Sequence, residues 1–350
     1  MTRPARVKMG KRSAKQFRGL RRLNSLPAFL SPLLWSFLLL LTAGCLPPAV
    51  HAQAPDQDVI RIDTDLVNLS VSVFNRKQTQ TAVTLEQKDF AIFDNGKPQE
   101  ISFFAASDAP FDLVLLLDLS GSTADKIGLI RKSAKRFVDA ARPEDRIAIL
   151  TFTADIVLVS KLTSDHVALK KSIDEIEKPV GGTNFWDALR FVLEHVAIQS
   201  RVEHRRSAVI VMTDGVDNAL PDVFGEGSKT SFDELMEVVR RSETIVLPIY
   251  LDTEKQSNPY GTPPAAYVLA REQLNELASE SGNHVYQARK VKDLEGVYTQ
   301  VIRDLGTVYS IGYRPANRAH DGAWHAVTVQ LLGHGDFGIR ARRGYYETRQ

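Results

Sequence analysis

Three short polar clusters interrupt otherwise apolar or helical stretches of this chain. The first follows the run Phe111-Asp112-Leu113-Val114-Leu115-Leu116-Leu117 and reads Asp118-x-Ser120-x-Ser122. The second is Gly181-Gly182-Thr183-Asn184, and the third is Thr213-Asp214-Gly215 at the end of another apolar run. A hard divalent ion such as Mg²⁺ takes six oxygens in an octahedral array and keeps several waters. Two serines on alternate residues of one loop can offer both hydroxyls to one ion. Thr183 can add a third, and Asp118 and Asp214 balance the charge. Each cluster alone has a plainer reading: Ser120 and Ser122 as helix caps, Asp214-Gly215 as a turn. The three in one chain, at expected strand ends or on the loops that follow, favour a metal site. Gly181-Gly182 is not a phosphate loop, because neither G-x-x-x-x-G-K-[ST] nor G-x-G-x-x-G occurs.

The elements that must bring these clusters together follow from the hydrophobic pattern. Residues 112–118, 146–153, 207–214 and 244–251 are continuous apolar runs, as expected of strands covered on both faces. Helical spacing marks segments near 125–141, 166–177, 185–200, 231–242, 266–281 and 291–305. In the third of these, Phe185, Leu189, Val192, Leu193 and Val196 form a core stripe, and Trp186 is expected to pack with it. Strand–helix alternation predicts a doubly wound α/β domain with a mainly parallel sheet. Sites in such sheets form where strands end and connections diverge, which is where the three clusters fall.

The flanks have a different texture. Val67, Leu69, Val71 and Val73 alternate with polar residues, and Asn95-Gly96 predicts a hairpin within 89–104. Tyr309, Ile311 and Tyr313 alternate, as do Val327, Val329 and Leu331, and a last hairpin is expected over 339–346. Neither flank is long enough for a core of its own. The expected plan is therefore a β segment at 59–106, the α/β domain at 107–305, and a second β segment at 306–350 that packs with the first.

The resulting set resembles the metal-ion-dependent adhesion site of the von Willebrand factor type A domain family, over residues 111–305. The family's five positions correspond to Asp118, Ser120, Ser122, Thr183 and Asp214. The resemblance implies a Mg²⁺ (or Mn²⁺) cofactor, aspartates acting partly through hydrogen bonds or water, and an ion left with one open position. A carboxylate from a protein partner is the natural ligand there. Asn184, Asp217 and Asn218 are expected at the rim of that surface. The segments "DFAIFDNGKPQEI" and "RARRGYY" around such a domain are similar to those of von Willebrand factor A-related exported proteins of acidobacteria and similar soil bacteria.

The chain of 350 residues carries 44 basic and 42 acidic residues. Nine of the basic ones (Arg3, Arg6, Lys8, Lys11, Arg12, Lys15, Arg18, Arg21, Arg22) precede the first acidic residue, Asp56. Without them 35 basic residues face 42 acidic, a net charge of −7. A body of that sign argues against a nucleic-acid partner. The basic start, the apolar stretch 32–41 and the small residues that follow read as an export signal over 1–52, cleaved before Gln53, with a polar linker at 53–58. Two other readings stay open: Thr42-Ala43-Gly44-Cys45 as a lipobox tethering the chain through Cys45, and residues 28–46 as an uncleaved anchor. All three place the body in the periplasm, cell envelope or medium. Cys45 is the only cysteine, so no disulfide is possible within the chain.

No enzyme is expected. A strand-end aspartate with Mg²⁺ also suits phosphatases of the haloacid dehalogenase type, but these need a second aspartate where this chain has Ser120. The remaining alternative is a structural envelope protein with a stabilising metal. His320 and His325 are spaced as a zinc pair but lack a third ligand, so a surface loop is expected there.

Overall fold

The computed structural model describes residues 66–77, 84–121, 123, 126–177, 181–197, 205–254, 261–316 and 321–347. The export segment, Cys45, the linker, Ser122 and His320 lie outside them.

The central sheet has six strands: β5 (Phe111–Asp118), β6 (Arg146–Phe152), β7 (Ile156–Thr163), β8 (Arg206–Thr213), β9 (Ile245–Leu251) and β10 (Tyr286–Ala288), in the order β10-β9-β8-β5-β6-β7. All neighbours are parallel except β6 and β7. The chain winds from β5 outward through β6 and β7, then crosses back to β8 and proceeds the other way. The order therefore reverses between β5 and β8, the place where open sheets bind ligands.

Burial of β5 on both faces explains its unbroken apolar run. Leu113, Leu115 and Leu117 pack against α1 (Ile127–Ala140), α2 (His166–Asp174) and the helix Leu294–Leu305; Val114 and Leu116 face the opposite layer. That layer holds α3 (Phe185–Phe191), α4 (Phe232–Arg241) and α5 (Pro264–Glu280), and Leu294–Leu305 is α6. The helix expected over 185–200 is α-helical only to Phe191 and continues as a π turn, Val192–Val196. Trp186 is buried against Phe232, as its place in the stripe predicts. The start of α4 is fixed by a reciprocal cap: Ser231 accepts from the Glu234 N–H, and the Glu234 carboxylate accepts from the Ser231 N–H.

The flanking segments form two four-stranded sheets around one shared core. One holds β13 (Phe337–Arg340), β1 (Val67–Asn75), β11 (Val308–Tyr313) and β4 (Ile101–Ala105). The other holds β14 (Gly344–Tyr346), β12 (Trp324–Leu331), β2 (Phe90–Asp94) and β3 (Lys97–Gln99). Each sheet combines strands from both ends of the chain; in the first they alternate, and in the second β12 pairs with β2 at the junction of a C-terminal and an N-terminal pair. Two local expectations are corrected. The run 97–105 switches sheets at Glu100, so β2 and β3 form the Asn95-Gly96 hairpin while β4 pairs with β11. The run 339–346 is not a hairpin: β13 pairs with β1, and β14 pairs with β12. In both cases a short connection carries the chain across the sandwich, which buries residues of both sheets instead of leaving an isolated pair.

His325 is also placed differently from expectation. It lies in β12, largely buried, with Nδ1 2.8 Å from Asp94 Oδ1. Asp94 Oδ2 accepts from the hydroxyls of Tyr313 and Tyr345 at 2.8 and 3.0 Å. Arg206 ties the sandwich to the α/β layers, donating to the carbonyls of Val308 (2.6 Å) and Ser107 (3.2 Å) while stacking on Phe111.

Candidate functional site

Asp118 is the last residue of β5 and is 0 % exposed. Its Oδ1 accepts from the Ser120 N–H at 2.8 Å, and its Oδ2 accepts from the Thr213 hydroxyl at 2.6 Å. Ser120 is buried beside it. Thr123 locks the loop from below, sharing its hydroxyl between the carbonyls of Asp118 (2.9 Å) and Ser120 (3.1 Å).

Asp214 follows β8 and is 3 % exposed. Its Oδ1 accepts from the Val216 N–H at 3.1 Å, and its Oδ2 accepts from the Thr253 hydroxyl at 2.6 Å. The two carboxylates thus stand at the ends of adjacent strands, across the reversal point of the sheet. Burial, and then the Asp214 charge, push the Asp118 carboxyl up to about 7, against the opposing pull of its hydrogen bonds from Ser120 and Thr213.

Thr183 comes from the loop before α3, and that loop rests on the end of β6 through the Asn184 N–H to the Thr153 carbonyl, 3.0 Å. Asn218 clasps Thr183 on both sides: its Oδ1 accepts from the Thr183 N–H at 3.1 Å, and its own N–H donates to the Thr183 carbonyl at 2.9 Å. The Asn218 amide also donates to the Phe224 carbonyl at 2.9 Å. This packing leaves no room for side chains at two glycines: a Cβ would lie 2.6 Å from Asn218 Nδ2 at Gly182 and 2.3 Å from it at Gly225.

Asp118, Ser120, Thr183 and Asp214 therefore lie at one end of the sheet, with Asp118 bonded to Ser120 and to Thr213, the neighbour of Asp214, and Thr183 bonded to Asn218; Ser122 lies outside the described residues. The expected rim needs one correction. Asp217 is 0 % exposed and cannot meet a partner. Its Oδ1 accepts from the N–H groups of Ala219 and Ser228, and its Oδ2 from the Trp186 N–H and the Ser228 hydroxyl, at 2.6 to 3.0 Å. It holds the β8–α4 connection to the start of α3. Asn218 is half-buried with its amide engaged as described, and Asn184 is half-buried with Nδ2 donating to the Ala154 carbonyl.

The donors present suit a hard cation. Two buried carboxylates that repel each other gain from a positive charge between them, and serine and threonine hydroxyls add neutral oxygens. Asn184 Oδ1, one residue from Thr183, is a buried acceptor with no hydrogen-bond donor. Among the described residues no three His, Cys, Asp or Glu side chains gather as a metal cluster, so such an ion depends on hydroxyls and water for the rest of its shell.

Thr213, Thr123 and Thr253 were not among the site residues expected from sequence. Thr253 carries the same signal as Asp118 and Asp214, a polar residue at the carboxyl end of a strand next in the sheet, but the Pro- and Gly-rich stretch after it reads as loop.

Among solved structures, the chain is similar to proximal thread matrix protein 1 of the mussel byssus (TM-score 0.45, 18 % identity), covering 61 % of this chain and 50 % of that one. The chain thus spans about half the length of that relative. It is also similar to the vWF domain of the type V pili tip protein Mfa5 from Porphyromonas gingivalis (TM-score 0.42, 14 % identity, 56 % and 94 % covered). A third is the conserved hypothetical protein BatB from Bacteroides thetaiotaomicron (TM-score 0.41, 16 % identity, 56 % and 98 % covered). The model of the von Willebrand factor type A domain matches residues 112–300, more than half of the sequence and the whole of the six-stranded sheet but for the first residue of β5. The chain belongs to the von Willebrand factor type A domain family.

Proposed function

We propose that this chain is an exported protein-binding module that engages a carboxylate of a protein partner through a Mg²⁺ (or Mn²⁺) ion. Asp118, Ser120, Ser122, Thr183 and Asp214 would hold the ion, whose chemistry is to offer an electrophilic position to an incoming carboxylate oxygen. The observation that carries this reading is the pair Asp118 and Asp214: buried, at adjacent strand ends, each with one oxygen fixed by a threonine hydroxyl. Two carboxyls buried at neighbouring strand ends disfavour their shared ionised state unless a proton or a cation offsets the charge. Thr213 and Thr253 orient the carboxylates, the Asn218 clasp presents Thr183, and Thr123 fixes the backbone that carries Ser120.

Ser120 stands where a phosphatase of the haloacid dehalogenase type has its second aspartate, so no carboxylic acid occupies that position to protonate a leaving group. This favours binding over hydrolysis. The basic start and apolar stretch of residues 1–52 support export, with Cys45 or residues 28–46 as the means of a membrane tether.

Capture from the native envelope fraction tests the function. With Mg²⁺, the wild-type chain retains a protein that EDTA releases and that Asp118→Ala does not retain. Equal capture with EDTA contradicts the proposal, as does robust metal-dependent turnover of phosphate esters.

A further inference from the structure

The connection from β8 to α4, which carries Asp214 and Asn218, is held in place along its length. Leu220 is buried, and Val223 packs half-buried against the core beneath α3 and α4. The two arms of the loop meet backbone to backbone: a Cβ on Gly227 would lie 1.9 Å from the Ala219 nitrogen. Asp217 accepts from the Ser228 N–H, and the Asp187 carboxylate of α3 accepts from the Lys229 and Thr230 N–H groups, both at 2.9 Å. Asn218, which clasps Thr183, donates to the Phe224 carbonyl at 2.9 Å. The loop therefore turns Leu220 and Val223 inward and Phe224 outward. Phe224 is 73 % exposed, one hydrogen-bonded residue away from Thr183.

Other apolar side chains share that end of the molecule. Six large apolar side chains are exposed among the described residues. Three of them are Phe224, Leu129 in the first turn of α1, and Val268 in the first two turns of α5. Helices α1 and α5 follow β5 and β9, so they begin at the same end of the sheet as Asp118 and Asp214. Of the others, Phe103 and Leu332 belong to the sandwich, and Val167 opens α2 at the opposite end, where the antiparallel β7 finishes. The loop of Phe224 also exposes two acids, Asp222 and Glu226, against one base, Lys229.

We propose that Phe224 is the apolar anchor of the partner surface, and that with Leu129 and Val268 it selects a protein segment whose metal-completing acid is a single residue flanked by large apolar side chains. The proposal deepens the metal-site reading above and rests on it. An aromatic side chain has two χ angles to fix and a broad face to bury, so on a loop already held in place it binds at little cost in ordering. Apolar neighbours of the partner's acid take the exposed rim out of water. A second acid there would be repelled by Asp222 and Glu226.

Calorimetry of the full chain loaded with Mg²⁺ tests it, with two synthetic peptides of equal length and charge as probes. Each holds a single aspartate, set between leucine and phenylalanine in one and between serines in the other. Wild type should bind the apolar-flanked peptide about tenfold more tightly, the effect of one well-buried anchor. Phe224→Ala keeps the carbonyl that Asn218 engages and should bring the two affinities within about threefold of each other. Val167→Ala, at the far end of the domain, should leave the wild-type difference in place. Equal affinities in wild type overturn the proposal, as does binding of neither peptide. A preference undiminished in Phe224→Ala overturns it as well. If Phe224→Ala loses Mg²⁺ uptake together with both peptides, Phe224 is a support for Asn218 and the anchor role falls. Sedimentation in Mg²⁺ that shows wild-type dimers and monomeric Phe224→Ala would assign the surface to a second copy of the chain and overturn the choice of partner. A wild type that takes up no Mg²⁺ overturns the metal-site reading and this proposal with it, whereas Mg²⁺ uptake without discrimination between the peptides overturns this proposal alone.

Discussion

Asn218 and Thr183 are bonded twice, from the Thr183 N–H to Asn218 Oδ1 at 3.1 Å and from the Asn218 N–H to the Thr183 carbonyl at 2.9 Å. The two residues lie 35 positions apart and belong to different loops, one before α3 and one after β8. A single residue, through its amide oxygen and its backbone N–H, thus joins the Thr183 loop to the connection that follows Asp214. Asn218→Ala leaves the Thr183 N–H and the Phe224 carbonyl without this partner. Each such loss costs about 1–3 kcal/mol where the group stays buried. Urea unfolding should show a loss of that size, and Mg²⁺ affinity should fall with it. Unchanged ion affinity would mean that Thr183 is placed without the clasp.

Asp217 is a support with no surface of its own. Asp217→Ala strands the Ser228 and Trp186 donors in the interior and should cost about 1–3 kcal/mol or more, because the acceptor removed is charged. Asn184→Ala, half-exposed, should change stability far less. Thermal melts of the two variants check the contrast; equal shifts would contradict the scaffold role of Asp217.

The raised Asp118 carboxyl makes both stability and ion binding depend on pH. Between the ordinary carboxylate range and about 7, the ion-free folded chain holds a proton that the unfolded chain has released. Stability of the ion-free protein should therefore fall as pH rises across that window. An ion needs the ionised form, so Mg²⁺ affinity should rise through the same window and binding should release protons. Calorimetry in buffers of different ionisation enthalpy measures that release. Affinity unchanged between about pH 5.5 and about pH 8 would contradict this coupling.

The sandwich depends on both ends of the chain. β11 lies between β1 and β4, so removal of residues 306–350 takes out an inner strand of one sheet and β12 and β14 of the other. The segment 66–105 should then become sensitive to protease while the α/β layers persist. Persistent protection of 66–105 would show that it folds without its partner strands.

Much of this was legible in the sequence because burial on two faces leaves an unbroken apolar run, as in β5, and a polar residue at its end marks where the core meets solvent. Asp118 and Asp214 stand out on that basis, and Thr183 through the polar Gly181–Asn184 stretch just before a helix. The edge strand β7 was not foreseen: its residues are half-buried or exposed along their length, so Ile156 to Thr163 shows neither full burial nor alternation. The sheet switches at Glu100 and 341–343 were hidden because pattern within a strand does not say which sheet it joins. Asp217 reads as a rim residue because an aspartate near a site looks exposed in sequence, while its four donors come from residues as far as 31 positions away. Thr253 was missed because its partner, Asp214, is 39 positions distant.

The central claim is that Asp118 and Asp214 hold a divalent ion that an acidic partner completes. Titrating Mg²⁺ into the wild-type chain and into Asp118→Ala, with and without an aspartate-containing peptide, tests it most directly. The account predicts ion uptake by wild type, tighter in the presence of the peptide, and none by Asp118→Ala, whose fold survives because Val114 to Leu117 still fill the core. A wild-type chain that takes up no divalent ion even with the peptide present would contradict it.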